Sequence, residues 1–335
     1  MKKYNHIVYI GRFQPLHNAH AKVIELAGQM ADNVIVVCGS SYQPRTLKNP
    51  FTDEQRAAMI KSSVSYNINV EFVRDTIYNN TKWAANVQQV VESYTNLNDT
   101  VAIIGCDKDE SSFYLEMFPQ WEKVLVDQIE ELHASAIRDL FFNDKANLGF
   151  LKYVVPSAVF EFLAEFHNSL AYEYILNEKI HMEKYRIPYN SLPYEVTFVT
   201  ADAVVIQSGH VLMVKRKASP GKGLWALPGG FLDAQKDRSM KHCMLRELTE
   251  ETGIKLSTNT LERCITDSRV FDAIGRSARG RTITHAFKLE LKDGPLVHVK
   301  GSDDAEKAKW IPISSLNSRM VFEDHYEIIQ TFVGA

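Results

Sequence analysis

Short runs of β-branched and aliphatic residues alternate with amphipathic stretches along the first half of the chain. These runs predict buried strands at residues 7–10, 34–37, 70–73, 101–104 and 124–126. The stretches at 53–64 and 82–94 have helical periodicity, and Thr52 to Gln55 has the form of a capping box. Strand and helix in alternation predict an α/β fold with a doubly wound parallel sheet. Ligands bind beyond the carboxyl ends of the strands in such sheets, so we expect functional residues just after Ile10 and Ile104.

The pattern changes after the first half of the chain. Residues 157–185 are helical and are expected to close the first domain, and 186–193 contains two prolines and several turn-formers, which indicates a linker. Strand-like runs follow at 196–199, 203–206 and 211–216, with one long helical pattern at 239–251. We therefore predict a first domain at 1–185, a linker at 186–193 and an α+β domain at 194–335.

Composition and charge are those of an ordinary globular protein. Hydrophobic residues make up 45% of the 335 residues, charged residues make up 24%, and the net charge is -3. This balance gives no support to nucleic acid or a membrane surface as a partner. The four cysteines form no C-x-x-C pair, so a structural zinc site is not indicated, and neither a signal peptide nor a membrane span is evident. We expect a cytoplasmic protein with reduced thiols. The sequence leaves open whether the chain forms a homo-oligomer.

Two histidines stand at the start of the first predicted helix, directly after the first strand. His17 and His20 are three residues apart, so they lie on the same side of the first helical turn. A helix N-terminus attracts phosphate through its free N–H groups and its dipole. Histidines there can donate hydrogen bonds to phosphate oxygens as charge develops in a transition state, and nucleotidyl transfer requires little else. The alternative is that both are ordinary polar residues of a surface loop.

The residues around these histidines resemble the GRFQPxHxGH signature of the nucleotidylyltransferase superfamily. The resemblance implies that the two histidines are catalytic. This chain departs from the signature at Ala19, where the family usually has glycine. A second superfamily signature is a hydroxyl residue and an arginine three apart at a helix N-terminus. Ser135 and Arg138 are similar to it, which implies that they hold the ATP phosphates and that Arg138 is catalytic. The first signature also implies ATP and substrate contacts at Gly11, Arg12, Phe13 and Gln14.

Further segments narrow the resemblance to bacterial bifunctional nicotinamide mononucleotide adenylyltransferase/ADP-ribose pyrophosphatases. Residues 48–56, 78–88 and 105–121 are similar to segments of that family. Cys106 stands where the family often has histidine. Trp83 has a flat ring that can stack on nicotinamide, and a tryptophan packed in the core is the alternative. The resemblance implies substrate contacts at Asn49, Arg56, Trp83, Gly105, Asp107 and Lys108.

The second half contains a glycine pair and a glutamate-rich helical pattern that resemble the Nudix box, G-x5-E-x7-R-E-U-x-E-E-x-G-U, in which U is aliphatic. Glu247, Glu250 and Glu251 lie at i, i+3 and i+4, hence on one helix face. Clustered carboxylates repel one another unless cations join them, and hard oxygen ligands suit Mg²⁺, with Mn²⁺ as the alternative. Such metal ions polarise a pyrophosphate and lower the pKa of an attacking water. The competing interpretation is a solvated acidic helix face.

The loop before this helix departs from the box. The box glutamate should stand at position 238, which is Arg238, and the box glycine at position 232, which is Leu232. The loop from Phe231 to Arg238 therefore carries two extra residues and lacks the expected glutamate, for which Asp233 or Asp237 can substitute. In the family that glutamate mostly supports the site beside the box arginine. Its loss would lower turnover or leave a binding module.

Other parts of the second half fit a Nudix domain that cleaves ADP-ribose. Residues 214–226, 279–285 and 303–310 resemble segments of the same bifunctional family, so the resemblance covers nearly the whole chain. These segments supply cations for a pyrophosphate. The substrate ligands implied here are Arg216, Gly229, Gly230 and Arg281.

The resemblance implies two enzyme activities on one chain. The first is adenylyl transfer from ATP to nicotinamide mononucleotide, which gives NAD and pyrophosphate. The second is metal-dependent hydrolysis of ADP-ribose to AMP and ribose 5-phosphate. The alternative is an active adenylyltransferase whose Nudix domain is catalytically weak or inactive and senses ADP-ribose or NAD. A transcriptional regulator would need a DNA-binding module, and the net charge of -3 and the few residues after Trp310 argue against one.

Overall fold

The computed structural model describes residues 2–106, 110–127, 133–143, 145–301 and 305–334. It divides the chain into two compact units, residues 1–177 and 178–335. No helix within these described residues has both the length and the apolar character needed to cross a membrane.

The first unit is built on a parallel sheet of five strands in the order β3-β2-β1-β4-β5. This is the predicted doubly wound parallel sheet, and every predicted strand is present. The strands are β1 (Tyr4–Gly11), β2 (Ala31–Cys38), β3 (Asn69–Phe72), β4 (Val101–Gly105) and β5 (Glu122–Leu125). The helices are α1 (Asn18–Met30), α2 (Asp53–Ser62), α3 (Asn80–Glu92), α4 (Ala134–Asn143), α5 (Ser157–Phe166) and α6 (Leu170–Arg186), which extends past the boundary between the units.

Both faces of this sheet are covered, which explains why its strands are continuous apolar runs. Ile7 belongs to a core cluster with helices α1, α2, α4 and α5, whereas the next residue, Val8, belongs to a second cluster with α3. Successive side chains of a strand point to opposite faces, so one strand contributes to both clusters. The predicted capping box is confirmed, because Thr52 Oγ1 accepts from the backbone of Gln55 and Gln55 Oε1 accepts from the backbone of Thr52.

The second unit contains a mixed seven-stranded sheet with the main path β10-β11-β6-β7-β12. Strands β6 and β11 are parallel, and the short strands β8 and β9 pair with β7 and β6. The strands are β6 (Phe198–Gln207), β7 (His210–Arg216), β8 (Trp225–Ala226), β9 (Gly229–Phe231), β10 (Ile265–Phe271), β11 (Thr282–Glu290) and β12 (Ala305–Pro312). The helices are α7 (Met240–Thr252), α8 (Thr258–Arg263) and α9 (His325–Val333).

Two details of the second half differ from the expectation. The strands predicted at 196–199 and 203–206 form one strand, β6, because the intervening Thr200 to Asp202 stay in the ladder with β11 and β9. The predicted linker at 186–193 starts with the last residue of α6 and continues into a 3-10 turn, Ile187–Tyr189. The compact units meet at 177/178, inside α6, and the predicted domain limits at 185 and 194 stay predictions.

Helix α7 carries the Nudix-like motif and is fixed at both ends. Ser239 Oγ accepts from the backbone of His242 at its N-terminus, and Gly253 ends it with a left-handed φ of 52°, a conformation that favours glycine. Its apolar side, with Met244 and Leu248, packs into the core of the second unit. The opposite side is therefore left for the acidic residues of the motif.

We predict that the two units have independent cores. Replacing Ile24, buried in α1, by alanine should lower the stability of the first unit by about 2–5 kcal/mol, because it leaves a cavity among packed side chains. Leu248→Ala should do the same to the second unit. Hydrogen exchange followed by mass spectrometry should show faster exchange of β1 and β2 in the first variant, and of β6 and β11 in the second. Equal acceleration of all four strands in both variants would contradict separate cores.

Candidate active sites

The first unit has a cavity of about 660 Å³ at the carboxyl ends of its strands. Residues just after β1, β2 and β4 line it, among them Gly11, Gly39 and Cys106, as expected for a doubly wound sheet. The cavity collects most of the expected ligands of this half. They are Gly11, Arg12, Phe13, Gln14, His17, His20, Trp83, Ser135 and Arg138.

The two histidines of the first motif face one another at the start of α1. Their rings are stacked with centroids 3.6 Å apart, and the backbone N–H of His17 donates to Nδ1 of His20 at 3.3 Å. The ring of Phe13 meets His20 edge-on at 5.0 Å, and Phe13 has a left-handed φ of 51°. The imidazoles are thus held against the helix N-terminus, where phosphate binds favourably.

Arg138 extends from α4 into this cavity. It is buried, and its guanidinium donates to the carbonyl oxygen of Gln14 at 2.8 Å. Burial and the nearby charge of Arg12 lower the pKa of Arg138 to about 10. Two arginines that disfavour each other's charge in a partly buried cavity are stabilised when an anion binds between them, as a polyphosphate would.

Gln14 and Arg56 hold the loops of the site. The Gln14 amide exchanges two hydrogen bonds of 2.9 Å with the backbone of Phe51. Arg56 was expected to bind substrate, but it is completely buried and is not among the residues that line the cavity. Its guanidinium donates to the carbonyls of Arg12 at 2.8 Å and Gly39 at 2.6 Å, and so fixes the chain just beyond β1 and β2. Its role here is positioning.

The other residues expected to contact the substrate in this half differ in whether they line the cavity. Trp83 lines the cavity and also packs against Tyr114 and Phe118, so its stacking and core interpretations are compatible. Asn49 is buried and, like Gly105, is absent from the cavity lining. Gly105 is required by packing, since a Cβ there would meet Leu115 at 2.9 Å. Asp107 and Lys108 lie outside the described residues.

Sequence reasoning missed Asp75, which lines the cavity. Its carboxylate accepts from the backbone N–H of Ser40 at 2.9 Å and from Ser40 Oγ at 2.5 Å. Ser40 follows β2 and has a left-handed φ of 49°. The available signal was position alone, because Asp75 comes shortly after the third predicted strand, at the ligand-binding edge of the sheet.

The second unit has a cavity of about 400 Å³ beside α7 and β6. Of the residues expected here, Arg216, Gly229, Gly230, Glu247 and Glu251 line it. Two others do not. Glu250 is half-exposed and pairs with Arg246 at 3.0 Å, and the guanidinium of Arg281 donates to the carbonyl of Asp272.

The glycine pair lets the acidic helix approach the sheet. A Cβ on Gly230 would lie 2.5 Å from the carboxylate of Glu247, and a Cβ on Gly229 would lie 2.8 Å from the backbone of Asp202. The N–H of Gly229 donates to Oε2 of Glu251 at 3.0 Å. A side chain at Gly230 would therefore displace the carboxylate of Glu247, whereas one at Gly229 would push β9 away from β6.

Of the two aspartates in the altered loop, Asp237 is the one whose carboxylate binds the box arginine, Arg246. The guanidinium of Arg246 binds it bidentately, with Nε to Oδ1 at 2.9 Å and a terminal nitrogen to Oδ2 at 2.7 Å. The Asp237 side chain has no exposed surface, and Arg246 holds the pKa of its carboxyl far below the ordinary range. Asp233 instead accepts backbone N–H groups of its own loop, from Gln235 and Lys236.

Arg246 also organises the motif carboxylates. It donates to Glu247 at 2.8 Å and to Glu250 at 3.0 Å. Within the described residues, no three acidic, histidine or cysteine side chains converge into a ready metal site. Burial raises the pKa of Glu251 to about 8 and also raises that of Glu247. Two partly buried carboxylates whose surroundings disfavour their charge fit a divalent cation, which stabilises the charged form.

Comparison with known proteins identifies a separate domain in each half of the chain. Residues 8–132 match the Cytidylyltransferase-like family model, and residues 196–332 match the NUDIX domain model. A nicotinamide/nicotinic acid mononucleotide adenylyltransferase of Acinetobacter baylyi is 34% identical over 190 residues, which are 56% of this chain and 96% of that protein. An ADP-ribose pyrophosphatase of Methanocaldococcus jannaschii is 30% identical over 156 residues, which are 47% of this chain and 81% of that protein.

Solved structures match the chain from end to end. The structure of a bifunctional NMN adenylyltransferase/ADP ribose pyrophosphatase from Francisella tularensis is 35% identical, with a TM-score of 0.91 over 99% of both chains. A second structure from that organism, in complex with AMP and a manganese ion, is 34% identical with a TM-score of 0.89. This chain therefore belongs to the family of bifunctional NMN adenylyltransferase/ADP-ribose pyrophosphatases.

Proposed function

We propose that the first unit transfers the adenylyl group of ATP to nicotinamide mononucleotide, and that the second unit hydrolyses ADP-ribose to AMP and ribose 5-phosphate. The observation that carries the proposal is that each unit has its own cavity, lined by the residues of its own motif. The relatives that match each half bear the names of these two activities. Mg²⁺ with Mn²⁺ as the alternative, ATP and NAD as ligands, and a cytoplasmic location belong to the same proposal.

In the first reaction, a phosphate oxygen of nicotinamide mononucleotide attacks the α-phosphorus of ATP. The new P–O bond forms as the bond to the β-phosphate oxygen breaks, so the products are NAD and pyrophosphate. His17 and His20 donate to phosphate oxygens as charge develops, and Arg12 and Arg138 neutralise the polyphosphate. Arg56 and Gln14 keep the loops of the site in place, so this geometry exists before substrate binds.

In the second reaction, water attacks one phosphorus of the ADP-ribose diphosphate, and the bond to the bridging oxygen breaks. Glu247 and Glu251 would hold the metal ion, since both are partly buried and line the cavity. A bound divalent cation polarises the diphosphate and lowers the pKa of the attacking water. Arg246, held by Asp237, keeps Glu247 oriented.

The alternative of a Nudix domain that only senses its ligand rested on the missing box glutamate. Asp237 supplies a buried carboxylate that binds Arg246 on two atoms. The support that the missing residue would provide is therefore available from another position, which favours hydrolysis over binding alone.

We predict that His20→Ala lowers the kcat of NAD formation by about 10²-fold or more, as for loss of a transition-state donor. The measurement is NAD produced by the full chain from ATP and nicotinamide mononucleotide with Mg²⁺. ADP-ribose hydrolysis by the same variant should be unchanged, and His298→Ala, an exposed histidine of the second unit, should leave NAD formation at the wild-type rate. A folded His20→Ala protein with wild-type kcat would remove His20 from the mechanism.

We predict that Glu251→Gln lowers ADP-ribose hydrolysis by more than about 100-fold, since it removes a charge from the metal site while keeping nearly the same shape. AMP release with Mn²⁺ measures this effect. Glu262→Gln is the matched control, because Glu262 lies on α8 and pairs with Lys241 on the surface. NAD formation should be unchanged in both variants. AMP release at the same background rate in wild type and Glu251→Gln, with ADP-ribose still bound, would support the sensor alternative.

A further inference from the structure

A buried histidine lines the second cavity at the start of α9. His325 is 7% exposed, and its ring meets that of Phe322 edge-on, with the centroids 5.6 Å apart. Asp324, the residue before it, forms a bidentate ion pair with Arg276, in which both bonds are 2.8 Å long. The ion pair and the ring contact fix the beginning of α9, so His325 has a defined position at the cavity.

The hydrogen bond of His325 defines which of its ring nitrogens carries the proton. Nδ1 accepts from the backbone N–H of Leu227 at 2.9 Å, so the neutral ring carries its proton on Nε2. Burial, and then the charges of three nearby arginines, keep the pKa of His325 well below its usual range. The ring is therefore neutral near pH 7, and Nδ1 remains an acceptor there.

Leu227 belongs to a short segment that connects β8 to β9 and then meets the acidic helix α7. Leu227 is buried, and Pro228 has no N–H, so Leu227 and Gly229 carry the two N–H donors of residues 227–229. The first donates to His325, and the second donates to Oε2 of Glu251 at 3.0 Å. The two donors of the segment thus bind one side chain of α9 and one side chain of α7.

We propose that His325 is a positioning residue of the second reaction, which holds Leu227 so that the N–H of Gly229 reaches Glu251. A carboxylate that accepts this N–H is stabilised in its charged form, which a divalent cation requires. Without the acceptor on His325, the buried N–H of Leu227 would lose its partner, and the segment would shift to find another. Gly229 would then no longer hold Glu251.

The inference rests on the proposed hydrolysis, in which Glu251 holds the metal ion, and goes beyond it by naming the residue that keeps Glu251 in place. Such a partner acts through a metal ligand and does not itself touch the metal ion or the substrate. Loss of a partner of this kind lowers metal affinity or activity by about 10–100-fold. The affinity for the metal ion is therefore a readout that does not depend on turnover.

Three substitutions separate the acceptor of His325 from the rest of its ring. His325→Asn keeps an acceptor oxygen near the position of Nδ1, His325→Gln brings its longer side-chain amide to the position of Nε2, and His325→Leu keeps neither. We expect all three variants to fold, because residues 227–229 stay attached to β6. The backbone N–H of Ala203 donates to the carbonyl of Pro228 at 2.8 Å, and this bond does not involve His325.

Calorimetric titration of the full chain with Mn²⁺ is the first measurement. We expect His325→Leu and His325→Gln to weaken the Kd for Mn²⁺ by about 10–100-fold, and His325→Asn to stay close to wild type. His210→Leu is the matched control. The ring of His210 also bonds to a backbone group, the carbonyl of Ser208 at 2.8 Å, but His210 is not among the residues that line the cavity. Its Kd should be that of wild type.

Hydrogen exchange followed by mass spectrometry tests the same bond in the absence of a metal ion. The backbone amides of residues 225–231 should exchange faster in His325→Leu than in wild type and in His325→Asn. Strands β1 and β2 of the first unit should exchange at the wild-type rate in every variant. Unchanged exchange of residues 225–231 in His325→Leu would overturn the positioning role.

AMP release from ADP-ribose separates this proposal from the proposed hydrolysis. If wild type releases AMP and all three variants have its Kd for Mn²⁺, hydrolysis stands and the positioning role is overturned. If wild type binds Mn²⁺ but releases no AMP, hydrolysis is contradicted, and a Kd weakened in His325→Leu but not in His325→Asn still supports positioning. A Kd weakened in His325→Asn as much as in His325→Leu, or a wild-type Kd in His325→Gln, would overturn the assignment to Nδ1.

Discussion

The bidentate ion pair between Asp237 and Arg246 is the interaction on which the second site depends. It joins the loop before α7 to the helix, and the same guanidinium orients Glu247 and Glu250. Asp237 has no exposed side-chain surface, so removing Arg246 would leave a buried carboxylate without its cation, at a cost of about 3–5 kcal/mol. The two glycines before the loop then allow the carboxylates of α7 to reach the strands. Loop, helix and cavity are thus fixed together.

The loops of the first site are also held by buried side chains, through hydrogen bonds to the backbone instead of an ion pair. Arg56 holds the carbonyls of Arg12 and Gly39 at the ends of β1 and β2, and Gln14 binds the backbone of Phe51, which leaves the cavity to the stacked histidines, Arg12 and Arg138. In the second site, Glu323 and Asp324 do similar work for the segment that carries Arg276 and Arg279. In each unit, buried polar groups hold the loops, and the cations that line the cavity are left to meet phosphate.

The strands of the first unit and the motif residues of both sites could be predicted from the sequence, because the signals for them lie within short segments of the chain. The strands of the first unit are apolar runs covered on both faces, and the motif residues are fixed by spacing along one helix turn. The roles of Arg56 and Arg281 could not be predicted, since whether an arginine faces a cavity or a distant carbonyl depends on tertiary contacts. The choice between Asp233 and Asp237 was open for the same reason, because only the path of the loop brings Asp237 to Arg246.

Asp237 supplies the support that the altered box lacks, so the second site should hydrolyse its substrate. The measurement that separates the two loop aspartates is AMP release from ADP-ribose by Asp237→Ala, beside Asp233→Ala as the neighbouring control. We expect a loss of about 10–100-fold for Asp237→Ala, a partial recovery in Asp237→Glu, and near wild-type release for Asp233→Ala. Wild-type release by a folded Asp237→Ala protein, or an equal loss in Asp233→Ala, would contradict it.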